Sequence, residues 1–134
     1  MKIVLDASAA VEVVLGRERS VEFIDGLECA DLVLVPSLYV SEVTNVFWKY
    51  NAHGGLNQDD CCAFLEKVLE LPDEFFDDVV MAQEAFSTAV KTGLTAYDAY
   101  YLVLARRHNA MLMSLDKKLT RVARENGVRV SKYA

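Results

Sequence analysis

The sequence predicts an α/β fold in which a parallel sheet is covered by helices on both faces. Short apolar segments alternate along the chain with longer segments of helical periodicity, the order typical of parallel sheets. The predicted strands contain almost no polar residues, as expected when both faces of a sheet are buried. With 134 residues, of which 53% are hydrophobic and 25% charged, the chain is expected to form one domain over residues 1–134.

The first half of the chain contains two predicted strands and four predicted helices. The first strand, Ile3–Leu5, ends at Asp6, and the second, Leu32–Val35, ends where Pro36 interrupts the apolar run. Ser37 begins the next helix, because serine caps the first turn of a helix well. The four helices are expected over residues 8–15, 20–27, 37–51 and 57–71.

The second half of the chain contains three predicted helices and completes the predicted sheet. Residues 72–78 form a loop or a short edge strand, and Gly93 separates helices over 79–91 and 95–108. Two further short apolar runs are predicted strands, with one helix between them. These last elements are the strand 110–114, the helix 116–126 and the strand 128–130.

The composition argues against several classes of protein. No uncharged apolar run approaches 20 residues, and the N-terminus lacks a signal-peptide pattern, so neither a membrane protein nor a secreted protein is expected. The three cysteines, Cys29, Cys61 and Cys62, form neither a disulfide framework nor a zinc motif. A reduced, cytoplasmic location is therefore predicted.

Charge is distributed unevenly along the chain. The net charge of −6 at pH 7 argues mildly against nucleic acid as a partner. Residues 1–100 carry 6 basic and 18 acidic side chains, whereas residues 101–134 carry 8 basic and 2 acidic ones. The basic C-terminal segment is therefore suited to bind a polyanion, although the chain as a whole is acidic.

Four carboxylates lie in stretches of sequence largely without other charges, unlike most acids of this chain. An ionised carboxylate in apolar surroundings costs several kcal/mol unless it finds a partner. No basic residue close in sequence offers that pairing, so we expect another positive group to neutralise these acids. The four are Asp6, Glu42, Asp98 and Asp116.

The placement of these carboxylates predicts that they converge. Asp6 and Asp116 directly follow predicted strands, and ligands of parallel α/β sheets bind at the carboxyl ends of strands. Asp98 lies in the first turn of its helix, and Glu42 lies mid-helix with Asn45 one turn later. Oxygen ligands at such an edge suit Mg²⁺ or Mn²⁺, which activate water and stabilise phosphoryl charge.

Each of these acids also has a purely structural interpretation. Asp6 and Asp116 are suited to cap the helices that follow them, and Asp98 forms a capping-box pattern with Thr95. Glu42 is able to point into solvent from an amphipathic helix. The choice between a role at a metal site and a role in helix capping also applies to the hydroxyl groups of Ser8 and Ser114.

Four segments of the chain resemble the motifs of PIN domains. Their order and spacing are similar to those of the small VapC-type toxins of bacterial and archaeal toxin–antitoxin modules. The resemblance covers essentially the whole chain, and it rests on all four motifs in order at this length rather than on any one of them. The segments are Leu5–Ala9, Pro36–Asn45, Leu94–Ala99 and Leu112–Leu119.

This resemblance implies a three-layer α/β/α sandwich around a parallel sheet of about five strands. It also implies a Mg²⁺- or Mn²⁺-dependent endoribonuclease toxin that cleaves RNA and has a cognate antitoxin as its partner. One departure is mild: Ala7 and Ser8 stand where Thr or Ser and then Asn or Ser are often found. The catalytic and metal-binding quartet is matched by Asp6, Glu42, Asp98 and Asp116, and the supporting polar positions by Ser8, Asn45 and Ser114.

A basic stripe is predicted to begin beside the last of these acids. Lysines in the first turn of a helix are mildly disfavoured by the helix dipole, so their placement there calls for an explanation. An RNA backbone that passes the metal site provides one, and a solvated helix face is the alternative. The candidate RNA-binding residues are Lys117, Lys118, Arg121 and Arg124.

The hydropathy of the chain suggests that other molecules cover part of its surface. A mean hydropathy of +0.16 is high for a monomer of 15.0 kDa. A homodimer, together with a groove for an antitoxin segment, buries the excess apolar surface. The family to which the chain is similar usually has both.

Two other functions remain open at this point. A phosphatase that uses Asp6 as a covalent nucleophile usually needs a second acid two residues later, where this chain has Ser8. A catalytically inactive PIN-like interaction module predicts the loss of at least one acid of the quartet, and none is missing. The metal-dependent endoribonuclease is therefore the leading interpretation.

Overall fold

A parallel four-stranded sheet forms the centre of the computed structural model, which describes residues 1–131. The last three residues of the predicted domain, 132–134, lie outside the described residues. The central strand is the first one, since Ile3 pairs with Val33 on one side and with Met111 on the other. In the order β3-β2-β1-β4, the strands are β1 (Lys2–Leu5), β2 (Leu32–Pro36), β3 (Glu74–Phe76) and β4 (Met111–Met113).

Helices connect the strands and begin and end at residues with clear capping signals. The Asn57 side chain accepts a hydrogen bond from the Asp60 N–H at 2.8 Å, and Gly93 ends its helix with φ 78°. None of the helices within residues 1–131 is long and apolar enough to cross a membrane. They are α1 (Ala7–Leu15), α2 (Ser20–Cys29), α3 (Leu38–His53), α4 (Gln58–Glu70), α5 (Ala82–Thr92), α6 (Ala96–His108) and α7 (Lys117–Glu125).

Alternate strand residues point to opposite faces of the sheet and divide the core in two. Val4, Leu34 and Leu112 pack on one face with buried residues of α5, α6 and α7. Ile3 and Val33 pack on the other face with buried residues of α1, α2, α3 and α4. The predicted three-layer α/β/α architecture with a parallel sheet is therefore confirmed, and burial on both faces explains why the strands are apolar throughout.

The described residues form four strands rather than about five, because residues 128–130 make only an isolated parallel bridge. Val130 bridges to Leu112, held by a 2.8 Å hydrogen bond from the Leu112 N–H to the Arg129 carbonyl. A second hydrogen bond, 2.9 Å long, runs from the Ser131 N–H to the Leu112 carbonyl. Within residues 1–131, Leu112 and Val130 are the one pair of residues that joins this segment to β4.

The segment between α4 and α5 settles two further expectations. Residues 72–78, predicted as a loop or a short edge strand, contain the edge strand β3. The helix predicted over 79–91 starts with a 3₁₀ turn, Asp78–Met81, before α5 begins. The Asp77 carboxylate accepts a hydrogen bond from the Val79 N–H at 3.1 Å, which stabilises this tighter turn.

Candidate active site

Asp6 lies at the carboxyl end of the central strand and is the most buried acid of the predicted quartet. Its side chain is 6% exposed, and its backbone N–H continues the sheet by donating to the Met113 carbonyl at 3.0 Å. The carboxylate accepts hydrogen bonds from the Ser8 hydroxyl at 2.6 Å, from the Ala9 N–H at 3.0 Å and from the Ser114 hydroxyl. Asp6 therefore caps α1, as the structural interpretation expects, and also lies at the sheet edge where the site is predicted.

Burial decides the ionisation of Asp6. Removal from water penalises the charged form and raises the pKa of the Asp6 carboxyl to about 6, although the hydrogen bonds from Ser114, Ser8 and Ala9 act to lower it. The negative charge of Asp98 raises this pKa further. Without a cation, Asp6 is therefore held at neutral pH in a charged form that its surroundings disfavour.

The two serines connect Asp6 to the start of α7. Ser8 accepts a hydrogen bond from the Leu115 N–H at 3.0 Å, and Ser114 accepts one from the Asp116 N–H at 2.9 Å. The structure thus brings Ser8 and Ser114 together at the ends of β1 and β4. The position of Asp6 and the position of Asp116 depend on the same pair of hydroxyl groups.

Glu42 reaches the site from α3 and is partly buried. The Tyr101 hydroxyl on α6 donates a 2.6 Å hydrogen bond to Glu42 Oε1. Burial raises the pKa of the Glu42 carboxyl, the Tyr101 hydrogen bond lowers it, and the charges of Asp6 and Asp98 raise it. The alternative, a glutamate that points freely into solvent, does not describe this side chain.

Asp98 and Asp116 occupy the N-terminal ends of α6 and α7. Thr95 accepts a hydrogen bond from the Asp98 N–H at 3.2 Å, and Asp116 accepts one from the Leu119 N–H at 2.9 Å, so capping operates at both helices. Burial raises the pKa of the Asp98 carboxyl, the nearby charge of Asp116 adds to this, and Lys118 opposes it. Asp116 itself is exposed.

The four acids influence one another electrostatically but are not assembled around a common point. Asp6 and Asp98 each raise the pKa of Glu42, and Asp116 raises that of Asp98. Over residues 1–131, no three His, Cys, Asp or Glu side chains are placed to hold one metal ion together. The structure brings the quartet to one edge of the sheet, where the carboxylates of Asp6, Glu42 and Asp116 accept hydrogen bonds from different groups.

The donor chemistry of this edge nevertheless fits a hard divalent cation. It consists of carboxylate and hydroxyl oxygens, the ligands that Mg²⁺ and Mn²⁺ prefer. In the described part of the chain, no lysine or arginine forms an ion pair with any of the four acids, since the ion pairs there involve other carboxylates. A cation would therefore supply charge that the protein itself leaves unmatched.

Asn45 is the predicted supporting residue that the structure does not bring to Asp6. It is exposed on α3 and lines a shallow groove of about 590 Å³ together with Val40, Thr44 and Trp48. Among residues 1–131, its side chain forms no hydrogen bond to an acid of the quartet.

A fifth acid at this edge, Asp78, was not among the site residues predicted from the sequence. It follows β3, donates its N–H to the Ser37 hydroxyl at 3.0 Å, and raises the pKa of Glu42 through its charge. Its Oδ1 atom is buried without a hydrogen-bond partner. The signal in the sequence is weak because Asp78 belongs to an acidic run that is typical of a solvated loop.

Three of the four predicted RNA-binding residues lie together beside the acids. Lys117, Lys118 and Arg121 line a shallow depression of about 290 Å³ on α7. Lys118 donates a 2.8 Å hydrogen bond to the Gly93 carbonyl, while Arg124 lies in the last turn of the helix, outside this depression. The basic depression therefore begins at the exposed side of the candidate site.

Comparison with known protein families decides the classification. The family model described as PIN domain matches residues 3–125. The chain belongs to the PIN-domain family. The expectation drawn from the four sequence motifs is thereby confirmed, and the acids at the sheet edge belong to a PIN domain.

Several characterised proteins are similar to this PIN domain. The protein named Ribonuclease VapC3 from Pyrobaculum aerophilum is 33% identical over 123 residues, covering 89% of this chain and 92% of its own. The crystal structure of PAE2754 from the same organism is 25% identical with a TM-score of 0.75, covering 98% of this chain and 85% of its own. VapBC2 from Rickettsia felis, bound to a promoter DNA fragment, shares the fold with a TM-score of 0.69 at 15% identity, and 97% of each chain is covered.

Proposed function

We propose that this PIN domain is a metal-dependent endoribonuclease and acts as the toxin of a type II toxin–antitoxin module. The ribonuclease activity is supported by the relative named Ribonuclease VapC3, which matches 89% of the chain. The toxin role is supported by the same relative and by structural neighbours that include VapBC2. The observation that carries the proposal is the buried Asp6, whose charge is unmatched by any ion pair within residues 1–131 and is coupled to the charges of Asp98 and Glu42.

In this proposal the acids at the sheet edge hold Mg²⁺ or Mn²⁺. Such an ion, when bound, lowers the pKa of water and stabilises charge on a phosphoryl group. Ser8 and Ser114 keep the Asp6 carboxylate in place through both of its oxygens. We do not favour the phosphatase, because Ser8 stands where that chemistry usually needs a second acid two residues after the nucleophile. The proposed ligands are Asp6, Glu42, Asp98 and Asp116.

The basic depression on α7 binds the RNA backbone in this proposal. The side chains of Lys117 and Arg121 form no hydrogen bond or ion pair within residues 1–131 and are therefore available to phosphates. Lys118 is held by the Gly93 carbonyl and lies near Asp98, so it joins the basic depression to the acids. Arg124 would contact RNA only where the strand extends along the whole helix.

We also propose a homodimer and an antitoxin partner, because large apolar side chains remain exposed. Val79, Val80, Phe86 and Val90 are between 61% and 74% exposed, and Phe86 and Val90 lie one turn apart on α5. We assign this α5 face to the homodimer and the groove beside Trp48 on α3 to the antitoxin. Cleavage of cellular RNA implies action in the cytoplasm.

The decisive experiment is incubation of the purified protein with tRNA, rRNA and mRNA, each in Mg²⁺, Mn²⁺ or EDTA, with every 5′ end mapped by sequencing. We expect discrete cuts in at least one RNA class that require a divalent ion. The Asp98→Asn variant serves as the matched control and should produce none of them. Cuts that persist in EDTA, or intact RNA of all three classes with both ions, would overturn the proposal.

A further inference from the structure

Tyr101 has a buried hydroxyl group that forms a hydrogen bond with an acid of the candidate site. It lies on α6, is 2% exposed, and donates to Glu42 Oε1 on α3 across 59 residues of sequence. A buried tyrosine hydroxyl needs a partner, and a backbone carbonyl usually satisfies it. Here the partner is a carboxylate at the sheet edge, which core packing alone does not require.

This hydrogen bond is short and fixes one oxygen of the Glu42 side chain. Its length is 2.6 Å, and the donor and the acceptor lie on different helices. An ionised carboxylate only accepts, so the proton belongs to Tyr101.

The hydrogen bond restrains a side chain that is otherwise flexible. Glutamate has three rotatable side-chain bonds, and a contact with one oxygen selects among the orientations of its carboxylate. Tyr101 lies one turn after Asp98 on the same face of α6, so this helix carries one acid of the site and the group that orients a second. The Oε2 atom of Glu42 forms no hydrogen bond within residues 1–131 and is available for another partner.

We propose that Tyr101 is a positioning residue that orients the Glu42 carboxylate for a divalent cation, an inference that rests on the proposed metal-dependent function. Groups that hydrogen-bond to metal ligands fix the direction of the ligand and raise metal affinity, and their removal typically weakens affinity by ten- to a hundredfold. Tyr101 acts through Glu42 and touches neither the cation nor RNA.

Tyr39 provides a matched control for the loss of a buried tyrosine hydroxyl. It is 0% exposed and donates a hydrogen bond of the same length, 2.6 Å, but to the Val68 carbonyl of α4. A Tyr→Phe change at either position removes one buried hydroxyl and keeps the ring. Only the change at Tyr101 releases a carboxylate of the candidate site.

The test compares Tyr101→Phe and Tyr39→Phe with the wild type, using calorimetric titration with Mn²⁺ alone and RNA cleavage kinetics. We expect Tyr101→Phe to weaken Mn²⁺ binding by about tenfold and to lower kcat at saturating RNA while leaving KM unchanged. Tyr39→Phe should lose similar thermal stability and keep wild-type Mn²⁺ affinity. Equal Mn²⁺ affinity of the two variants would overturn the inference.

Two further measurements keep the inference separate from folding and from the proposed function. In the Glu42→Gln background, Tyr101→Phe should cause no additional loss of Mn²⁺ affinity, and an additional tenfold loss would contradict a role through Glu42. If Tyr101→Phe does not fold, wild-type protein with ¹³C-labelled tyrosine should show a larger shift of the Tyr101 ring signal than of the Tyr39 signal on addition of Mg²⁺, because Tyr39 senses the charge of Asp6 but donates to a backbone carbonyl. If the wild type binds Mn²⁺ but the Tyr101 signal does not shift with Mg²⁺, the role of Tyr101 is refuted and the proposed function is not. If the wild type binds no Mn²⁺, the proposed metal-dependent function is refuted as well.

Discussion

Replacement of Asp6 by asparagine should stabilise the metal-free protein increasingly as pH rises. Burial raises the pKa of Asp6 from 3.8 to about 6 in the folded chain, so the folded state holds this proton more tightly than the unfolded state does. A shift of this size corresponds to about 3 kcal/mol of lost stability once Asp6 is fully ionised in the folded protein. The loss of stability is absent at pH values below the pKa of Asp6 in the unfolded chain, 3.8, and complete at pH values well above its pKa in the folded chain, about 6.

The assay is urea unfolding in EDTA, followed by far-UV circular dichroism for wild type and Asp6→Asn at pH 5 and pH 8. The quantity of interest is the difference between the two unfolding free energies, because titrating groups that do not interact with Asp6 contribute equally to both proteins and cancel. Roughly half of the full effect, about 1.5 kcal/mol, should develop between these two pH values in favour of the variant.

A control variant and a clear contrary result complete this test. Asp59→Asn removes an exposed acid in the first turn of α4, where no buried charge is involved, so this variant should show nearly the same difference at both pH values. A flat difference for Asp6→Asn as well would refute the argument that burial of an unmatched charge destabilises the metal-free site. If the wild type has the larger unfolding free energy at pH 8, the ionised Asp6 carboxylate stabilises the metal-free protein, which is the opposite of the expected effect.

Three further predictions follow from the site, the basic depression and the exposed apolar face. Asp98→Asn should raise the melting temperature of the metal-free protein, because it removes a charge that burial disfavours, and it should abolish RNA cleavage. It should also decrease the rise in melting temperature that Mn²⁺ causes. If thermal shift assays show the same rise for the variant as for wild type, Asp98 acts only at the start of α6 and does not bind the metal. Lys117→Glu should weaken RNA binding and make the affinity less dependent on salt concentration, whereas Lys67→Glu on α4 should change neither. Fluorescence anisotropy at several salt concentrations measures the affinity of each variant. If the affinities of both variants depend equally on salt, Lys117 does not contact the RNA backbone. Light scattering at micromolar concentration should give about twice the chain mass for wild type and a monomer for Phe86→Glu, and a dimeric variant would exclude the α5 face as the interface.

The fold was predictable because its strands carry an unambiguous signal. β1 and β2 are short, apolar and followed by helix-starting residues, so both their existence and their parallel pairing follow from the sequence. Residues 128–130 carry a similar but weaker signal and form only a bridge, because the number of pairs depends on the path of the chain after α7. An apolar run predicts that a segment is extended, but it does not predict how many residues pair with the neighbouring strand.

The candidate site was predictable where an acid stands alone and unpredictable where its neighbours conceal it. Asp6 and Asp98 are conspicuous because the residues around them carry no charge. Asp78 lies in a run of acids, and only the course of β3 shows that one of them turns inward. Tyr101 looks like any core aromatic at helical spacing, because burial can be inferred from a sequence pattern whereas the partner of a hydroxyl group cannot.

The central position of β1 has a consequence for the order of events during protein synthesis. The hydrogen bond between Asp6 and Ser114 joins residues 108 positions apart, and β1 gains its neighbour β4 only across that distance. Asp6 leaves the ribosome exit tunnel before Ser114 and Asp116 have been synthesised, so an unfinished chain lacks the complete sheet edge. On the proposed function, the growing chain lacks its assembled site until residues 114–116 have been synthesised, so the messenger RNA is not exposed to an active product before that point.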